Sequence, residues 1–120
     1  MSREKLLGAF GEAAAADFLR KKRYEILAMN YRCPLGELDI IAKQRETFVF
    51  AEVKLRRDGG YASAAEAVTP VKQRRLRFAA ESWLAENGLE DAPCRFDVIE
   101  VYLEKTGGRI RRIQHLEEAF

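Results

Sequence analysis

The chain is poor in the residues that staple, ligate or break structure. It has two cysteines, Cys33 and Cys94, one histidine, His115, and three prolines among 120 residues. The cysteines are far apart and form no CxxC pair, so neither a disulfide framework nor a zinc site is expected. Both read as free thiols in buried or half-buried positions. His115 stands alone and reads as a surface or edge-strand residue rather than a catalyst. No apolar run approaches the ~18 residues of a membrane span. Residues 1–10 lack the basic region and apolar stretch of a secretory signal. The cytoplasm is the expected compartment, with no membrane partner. Low-complexity linkers and internal repeats are missing too, which leaves one domain over residues 1–120.

What is present suits a compact soluble core. Hydrophobic residues make up 48% and charged residues 33%, and a domain of this length buries roughly two-thirds of its unfolded surface. The net charge of +2 is unevenly spread. Between Lys54 and Arg77 seven Lys or Arg stand against Asp58 and Glu66, a balance of +5; between Phe78 and Gly108 two stand against seven acids, a balance of −5. Such asymmetry points to one side that faces a polyanion, although an arginine-rich solvated helix face would give the same composition.

Residues 1–22 read as a helix, with Leu7, Phe10, Ala14 and Phe18 at helical spacing. Strands are expected at 24–30, 37–43 and 48–55, with a turn at Pro34 and Gly36 and a short polar connection at 44–47. Residues 58–63 read as a loop. Thr69-Pro70 opens a second helix that ends near Asn87, before Gly88, with Leu76, Ala80, Trp83 and Leu84 as its apolar stripe. Strands at 96–103 and 109–116 follow, joined by Gly107-Gly108. The order α-β-β-β-α-β-β, with the second helix as a right-handed crossover, predicts a three-layer α/β fold around a mixed five-stranded sheet.

The informative stretch is Gly36-Glu-Leu-Asp39 followed by Glu52-Val-Lys54. Alternate strand residues share a face, so Glu52 and Lys54 point the same way. A hairpin closing symmetrically about Gln44 and Thr47 sets Ala42 against Val49 and Asp39 against Glu52. Opposed carboxylates repel unless something neutralises them, and hard oxygens suit Mg²⁺ or Mn²⁺. Lys54, one pleat on, can orient an attacking water or stabilise developing negative charge. The bland alternative is a surface hairpin with a Glu–Lys pair. Apolar residues on both faces of the strand (Phe48 and Phe50, Val49, Ala51 and Val53) weigh against it, because charges rarely occupy a central strand idly. Glu12 adds a carboxylate on a stripe with Gly8, Ala15, Ala16 and Leu19, where Gly8 and Gly11 would let the helix approach the sheet.

Asp39, a spacer and Glu52-Val-Lys54 resemble the core motif of the PD-(D/E)xK nuclease superfamily, which includes restriction endonucleases and archaeal Holliday-junction resolvases. The chain as a whole resembles the YraN family of small bacterial endonuclease-like proteins. The matching stretches include Gly8-Ala-Phe-Gly-Glu12, Asn30-Tyr-Arg-Cys33, Gly36-Glu-Leu-Asp-Ile-Ile41, Phe50-Ala-Glu-Val-Lys54, Ala64-Ala-Glu-Ala-Val68, Lys72-Gln73 and Arg95-Phe-Asp-Val98. The resemblance implies a restriction-endonuclease-like fold. It makes Glu12, Asp39 and Glu52 metal-site carboxylates for Mg²⁺ or Mn²⁺ and Lys54 the catalytic lysine, with Lys72 and Gln73 where a further site residue sits. Leu38 replaces the motif's proline, and Arg23 and Ala62 stand where glycines are expected.

The implied function is metal-dependent hydrolysis of DNA phosphodiesters, including branched or processed DNA. Arg56, Arg57, Lys72, Arg74 and Arg75 are the candidate phosphate contacts. A nucleic-acid-binding module with the same fold, and an adaptor in DNA uptake or repair, are the alternatives. DNA is the expected partner, and a homodimer is an assembly open to the chain.

Overall fold

The computed structural model describes residues 2–57, 68–106 and 108–120, with the backbone alone for Arg3 and Glu4. The described elements are helix α1 (Arg3–Lys21), strands β1 (Glu25–Cys33), β2 (Gly36–Gln44) and β3 (Thr47–Arg57), helix α2 (Pro70–Glu86), and strands β4 (Cys94–Leu103) and β5 (Ile110–Leu116). The expected loop at 58–63, Ala62 and Gly107 lie outside the described residues. The five strands form one sheet in the order β1-β2-β3-β4-β5. Only the β3–β4 pair, which α2 bridges, is parallel. This is the expected mixed α/β architecture. Among the described residues, no helix is long and apolar enough to cross a membrane.

Local chemistry sets the helix ends. The Ser2 hydroxyl accepts from the Lys5 N–H at 3.2 Å and the Thr69 hydroxyl from the Lys72 N–H at 3.1 Å, each occupying a donor that a first turn cannot pair internally. Beyond Asn87, Gly88 takes a φ of +66°, the left-handed exit that glycine enters without steric cost. Arg23 has a φ of 69° just after α1, which explains why a glycine is expected at that position.

The helices cover opposite faces of the sheet. On one, Leu76, Ala79, Ala80 and Leu84 of α2 pack on Ile41, Phe48, Phe50, Phe96 and Val98. On the other, Ala15, Ala16 and Leu19 of α1 pack on Ile40, Ala42, Val49, Ala51, Ile99 and Val101. The stripe expected for α1 from its large residues is therefore displaced: Phe10 is exposed and Ala14 and Phe18 are half-buried, whereas the alanines and Leu19 are inside. Two small side chains, Ala15 and Ala16, and one large one, Leu19, fill the contact with the sheet. A Cβ at Gly11 would stand 3.2 Å from the Leu55 side chain. At Gly8 a Cβ would meet nothing, so only Gly11 serves the close approach.

Two irregularities mark the β1–β2 side. The ladder shifts by one residue between Ile26 and Ala28. Between the pairs Met29–Ile40 and Tyr31–Leu38 stand Asn30 and Asp39, and Asn30 has a φ of 55°. Leu38 joins the α2-side core although Ile40, two residues on, joins the α1-side core. Strict alternation would unite them, so the pleat breaks at Asp39.

Candidate functional site

The β2–β3 hairpin closes as expected, with Gln44 opposite Thr47 and Ala42 opposite Val49. The ladder runs as far as Ile40–Ala51. Beyond it β3 continues alongside β4 to Arg57–Leu103, so the two hairpin strands part company where Asp39 and Glu52 begin. The Val53 N–H, which has no ladder partner in β2, donates to Asp39 Oδ2 at 2.8 Å. The carboxylate thus stands in for a backbone carbonyl at the fork.

Glu52 follows Phe48 and Phe50 on the α2 side and is 6% exposed. Its Oε1 has Lys54 Nζ at 3.6 Å and Lys72 Nζ, from the first turn of α2, at 3.3 Å. Burial, and then repulsion from Glu52, push the Asp39 carboxyl up from 3.8 to about 7; the Val53 N–H pulls the other way, Glu12 adds to the repulsion and Lys72 relieves it. The fold therefore brings together Asp39, Glu52, Lys54, Lys72 and the half-buried Glu12.

A carboxyl whose folded value is raised favours folding while it is protonated. Its contribution is present in full below about pH 4 and is lost as pH rises through about 7. Asp39→Asn keeps an acceptor for the Val53 N–H and removes the charge. Urea unfolding without metal should show this variant more stable than wild type at pH 8, by on the order of 1–3 kcal/mol, and flatter between pH 4 and 7. Parallel pH curves for the two proteins would show that Asp39 carries no electrostatic strain.

The other expected site residues are placed less centrally. Gln73 donates its amide to the Val68 carbonyl at 2.9 Å, closing the start of α2. Arg56 is half-buried, with Nε 3.4 Å from Glu100, while Arg57 donates to the Glu104 carbonyl at 3.2 Å. Arg74 and Arg75 are exposed on α2.

Sequence reasoning missed two buried acids. Glu100, 2% exposed, lies opposite Lys54 in the parallel register. Asp97 is fully buried and accepts from Arg95 Nε at 3.0 Å, from the Glu118 N–H at 3.1 Å and from His115 Nε2 at 2.7 Å. His115 Nδ1 is 2.8 Å from Lys22 Nζ. An ammonium only donates, so this contact suits Nδ1 as the acceptor and Nε2 as the donor toward Asp97. His115 does sit on an edge strand, as expected, but its side chain is 3% exposed and belongs to this network. Cys33 is half-buried as expected; Cys94, the first residue of β4, is exposed, contrary to expectation.

Among the described residues no three His, Cys, Asp or Glu side chains stand close enough together to hold a metal ion. The candidate donor set is the pair Asp39 and Glu52. That set fits Mg²⁺ or Mn²⁺, which keep several waters and take one or two protein carboxylates. Repulsion between the two acids is the strain that a cation would relieve.

The chain is similar to proteins of known family. A family model described as "Uncharacterised protein family UPF0102" matches residues 11–101. The UPF0102 protein of Pelotomaculum thermopropionicum is 45% identical over 97% of this chain and 96% of its own length. That of Geobacter sulfurreducens is 45% identical over 97% of this chain and 89% of its own, and that of Pelobacter propionicus 48% identical over 94% and 81%. Every residue gathered at the fork, from Glu12 to Lys72, falls inside the matched span, and the chain belongs to the UPF0102 family.

Proposed function

We propose that this protein is a metal-dependent nuclease that hydrolyses DNA phosphodiesters. One observation carries the reading: a carboxylate pair, Asp39 and Glu52, is gathered where two strands part, with the Lys54 ammonium 3.6 Å from Glu52. The resemblance of Asp39…Glu52-Val-Lys54 to the PD-(D/E)xK motif supports it. Asp39 and Glu52 would hold Mg²⁺ or Mn²⁺, with Glu12 as the nearby third carboxylate. The ion, when bound, supplies Lewis acidity and a lowered pKa for a bound water. Lys54 has two candidate roles, holding the attacking water or countering charge that develops on the phosphate. Lys72 and the exposed arginines of α2 would attract the phosphate backbone.

A second reading has its own support. Glu52 already has two ammonium groups beside it, so the buried acid is neutralised without a metal, as suits a nucleic-acid-binding module or an adaptor in DNA uptake or repair. Incubating wild type with linear, nicked, single-stranded and four-way-junction DNA, in Mg²⁺, Mn²⁺ or EDTA, separates the two. Cleavage in either metal and none in EDTA is the expected result. Binding without cleavage of any form would transfer the proposal to the module.

A further inference from the structure

A groove of about 620 Å³ runs between the turn joining β1 to β2 and the first half of α2. Its walls are apolar at Pro34, Leu35 and Leu76 and cationic at Arg32, Lys72 and Arg75. Leu35 is 61% exposed at the tip of the turn, a large aliphatic side chain held out beside three cations. The one acid of the lining, Glu37, is 3.6 Å from Arg32, and Lys72 is 3.3 Å from Glu52, which leaves the exposed Arg75 to set the sign of the groove. The groove is built into the fold at Gly36, where a Cβ would run into the carbonyl oxygen of Arg75. Only glycine lets the strand come this near the helix.

The groove and the carboxylate site share a residue. Lys72 lines the groove and stands 3.3 Å from Glu52, so the two are adjacent. Cations alternating with apolar surface match a nucleic-acid strand, with phosphates on ammonium and guanidinium groups and base faces on aliphatic or guanidinium planes. Size decides which kind of strand. The volume falls in the small-ligand range of roughly 300–1,000 Å³ and takes one or two nucleotides. A base flipped free of pairing fits such a space, whereas the stacked, paired bases of a continuous double helix keep their faces from its aliphatic walls.

We propose that the groove binds an unpaired nucleotide beside the carboxylate site at Asp39 and Glu52, so that the substrate class is DNA with a single-stranded segment rather than continuous duplex. The inference rests on the nuclease reading and names its substrate. Fluorescence anisotropy in EDTA, where turnover is blocked, tests it with one labelled oligonucleotide presented as a single strand, as a blunt duplex and as a duplex with an overhang. Single strand and overhang should bind about ten-fold or more tighter than blunt duplex, as expected for engaging one base face. Leu35→Asp, a change at an exposed position, should remove most of that preference while leaving thermal unfolding unchanged. Arg75→Ala should weaken single-strand binding and reduce its salt slope by about 0.7. Equal affinity for blunt duplex and single strand, or unaltered single-strand binding by Leu35→Asp, would overturn the proposal. Cleavage in Mn²⁺ is read separately. A protein that cuts blunt duplex without preference keeps the nuclease reading and loses this one, whereas preferential single-strand binding without cleavage keeps the groove and removes hydrolysis.

Discussion

Lys54→Ala should lower metal-dependent DNA cleavage by about 10²-fold or more, the scale on which a single preorganised electrostatic group acts. The substitution leaves Lys72 beside Glu52, so the buried carboxylate keeps a cationic partner and the fold should survive. DNA and metal binding should change little. Lys54→Arg should not restore full activity, because a planar guanidinium cannot occupy the place of a compact ammonium next to a water-sized position. Glu52→Ala should behave differently, losing metal-induced thermal stabilisation together with turnover. Single-turnover cleavage and metal-dependent Tm shifts measured on the same three variants separate the roles. Full activity in Lys54→Ala alongside an inactive Glu52→Ala would keep the metal site and dismiss the lysine.

Asp97→Ala should cost about 3–5 kcal/mol of stability, the usual penalty for removing one member of a buried ionic network. In a domain of this size that corresponds to a Tm lower by roughly 10–25 °C. Arg95 would be left 14% exposed and His115 3% exposed without their shared acceptor, and the Glu118 N–H would lose its partner as well. The effect carries a pH signature. Burial works against the Asp97 charge, but hydrogen bonds from His115, Arg95 and the Glu118 N–H outweigh it and hold the carboxyl below 3.8. A depressed carboxyl contributes stability above its unfolded value and loses it as pH falls through the folded one. Wild type should therefore converge on Asp97→Ala only in strong acid, below about pH 4. Thermal unfolding across that range checks both the size and the direction. A loss under about 1 kcal/mol at neutral pH would show that the network is dispensable.

The two acids illustrate what a sequence makes legible. Glu52 and Lys54 stood out because they interrupt a strand that is apolar on both faces, and the short connection before Thr47 fixed the register that faces Ala42 with Val49. Local rules sufficed there. Asp97 and Glu100 interrupt β4 in the same way, buried among Phe96, Val98, Ile99 and Val101, and the same argument applied to that strand finds them. Their partners were another matter. Arg95 reaches Gln44 at 3.0 Å and Tyr24 at 2.5 Å, residues 51 and 71 positions away, and no periodicity announces such contacts. The buried face of α1 failed for a different reason. Side-chain size predicts Phe10 and Phe18, but the face turned to the sheet carries Ala15, Ala16 and Leu19, and which face turns inward is a property of the assembled layers. The fork at Asp39 was legible only in part: nearness to Glu52 followed from register, but the ladder ends at Ile40–Ala51 before the two can pair, and the broken pleat and the Val53 hydrogen bond depend on how β1 and β2 run together.

That irregular pairing also bears on how the protein keeps to itself. β1 is an outermost strand, nine residues long, with Leu27 and Met29 each 36% exposed. A flat apolar edge of that length is a template on which another chain can add a strand, the first step towards aggregation. The ladder shift between Ile26 and Ala28 and the left-handed Asn30 leave no long regular run of outward-facing amides for a newcomer to match. At the other margin β5 presents the exposed Arg111 and Arg112, and charge does there what irregular backbone does on β1. The distortion that lifts Asp39 out of the pleat thus also stops the sheet from extending into its neighbours.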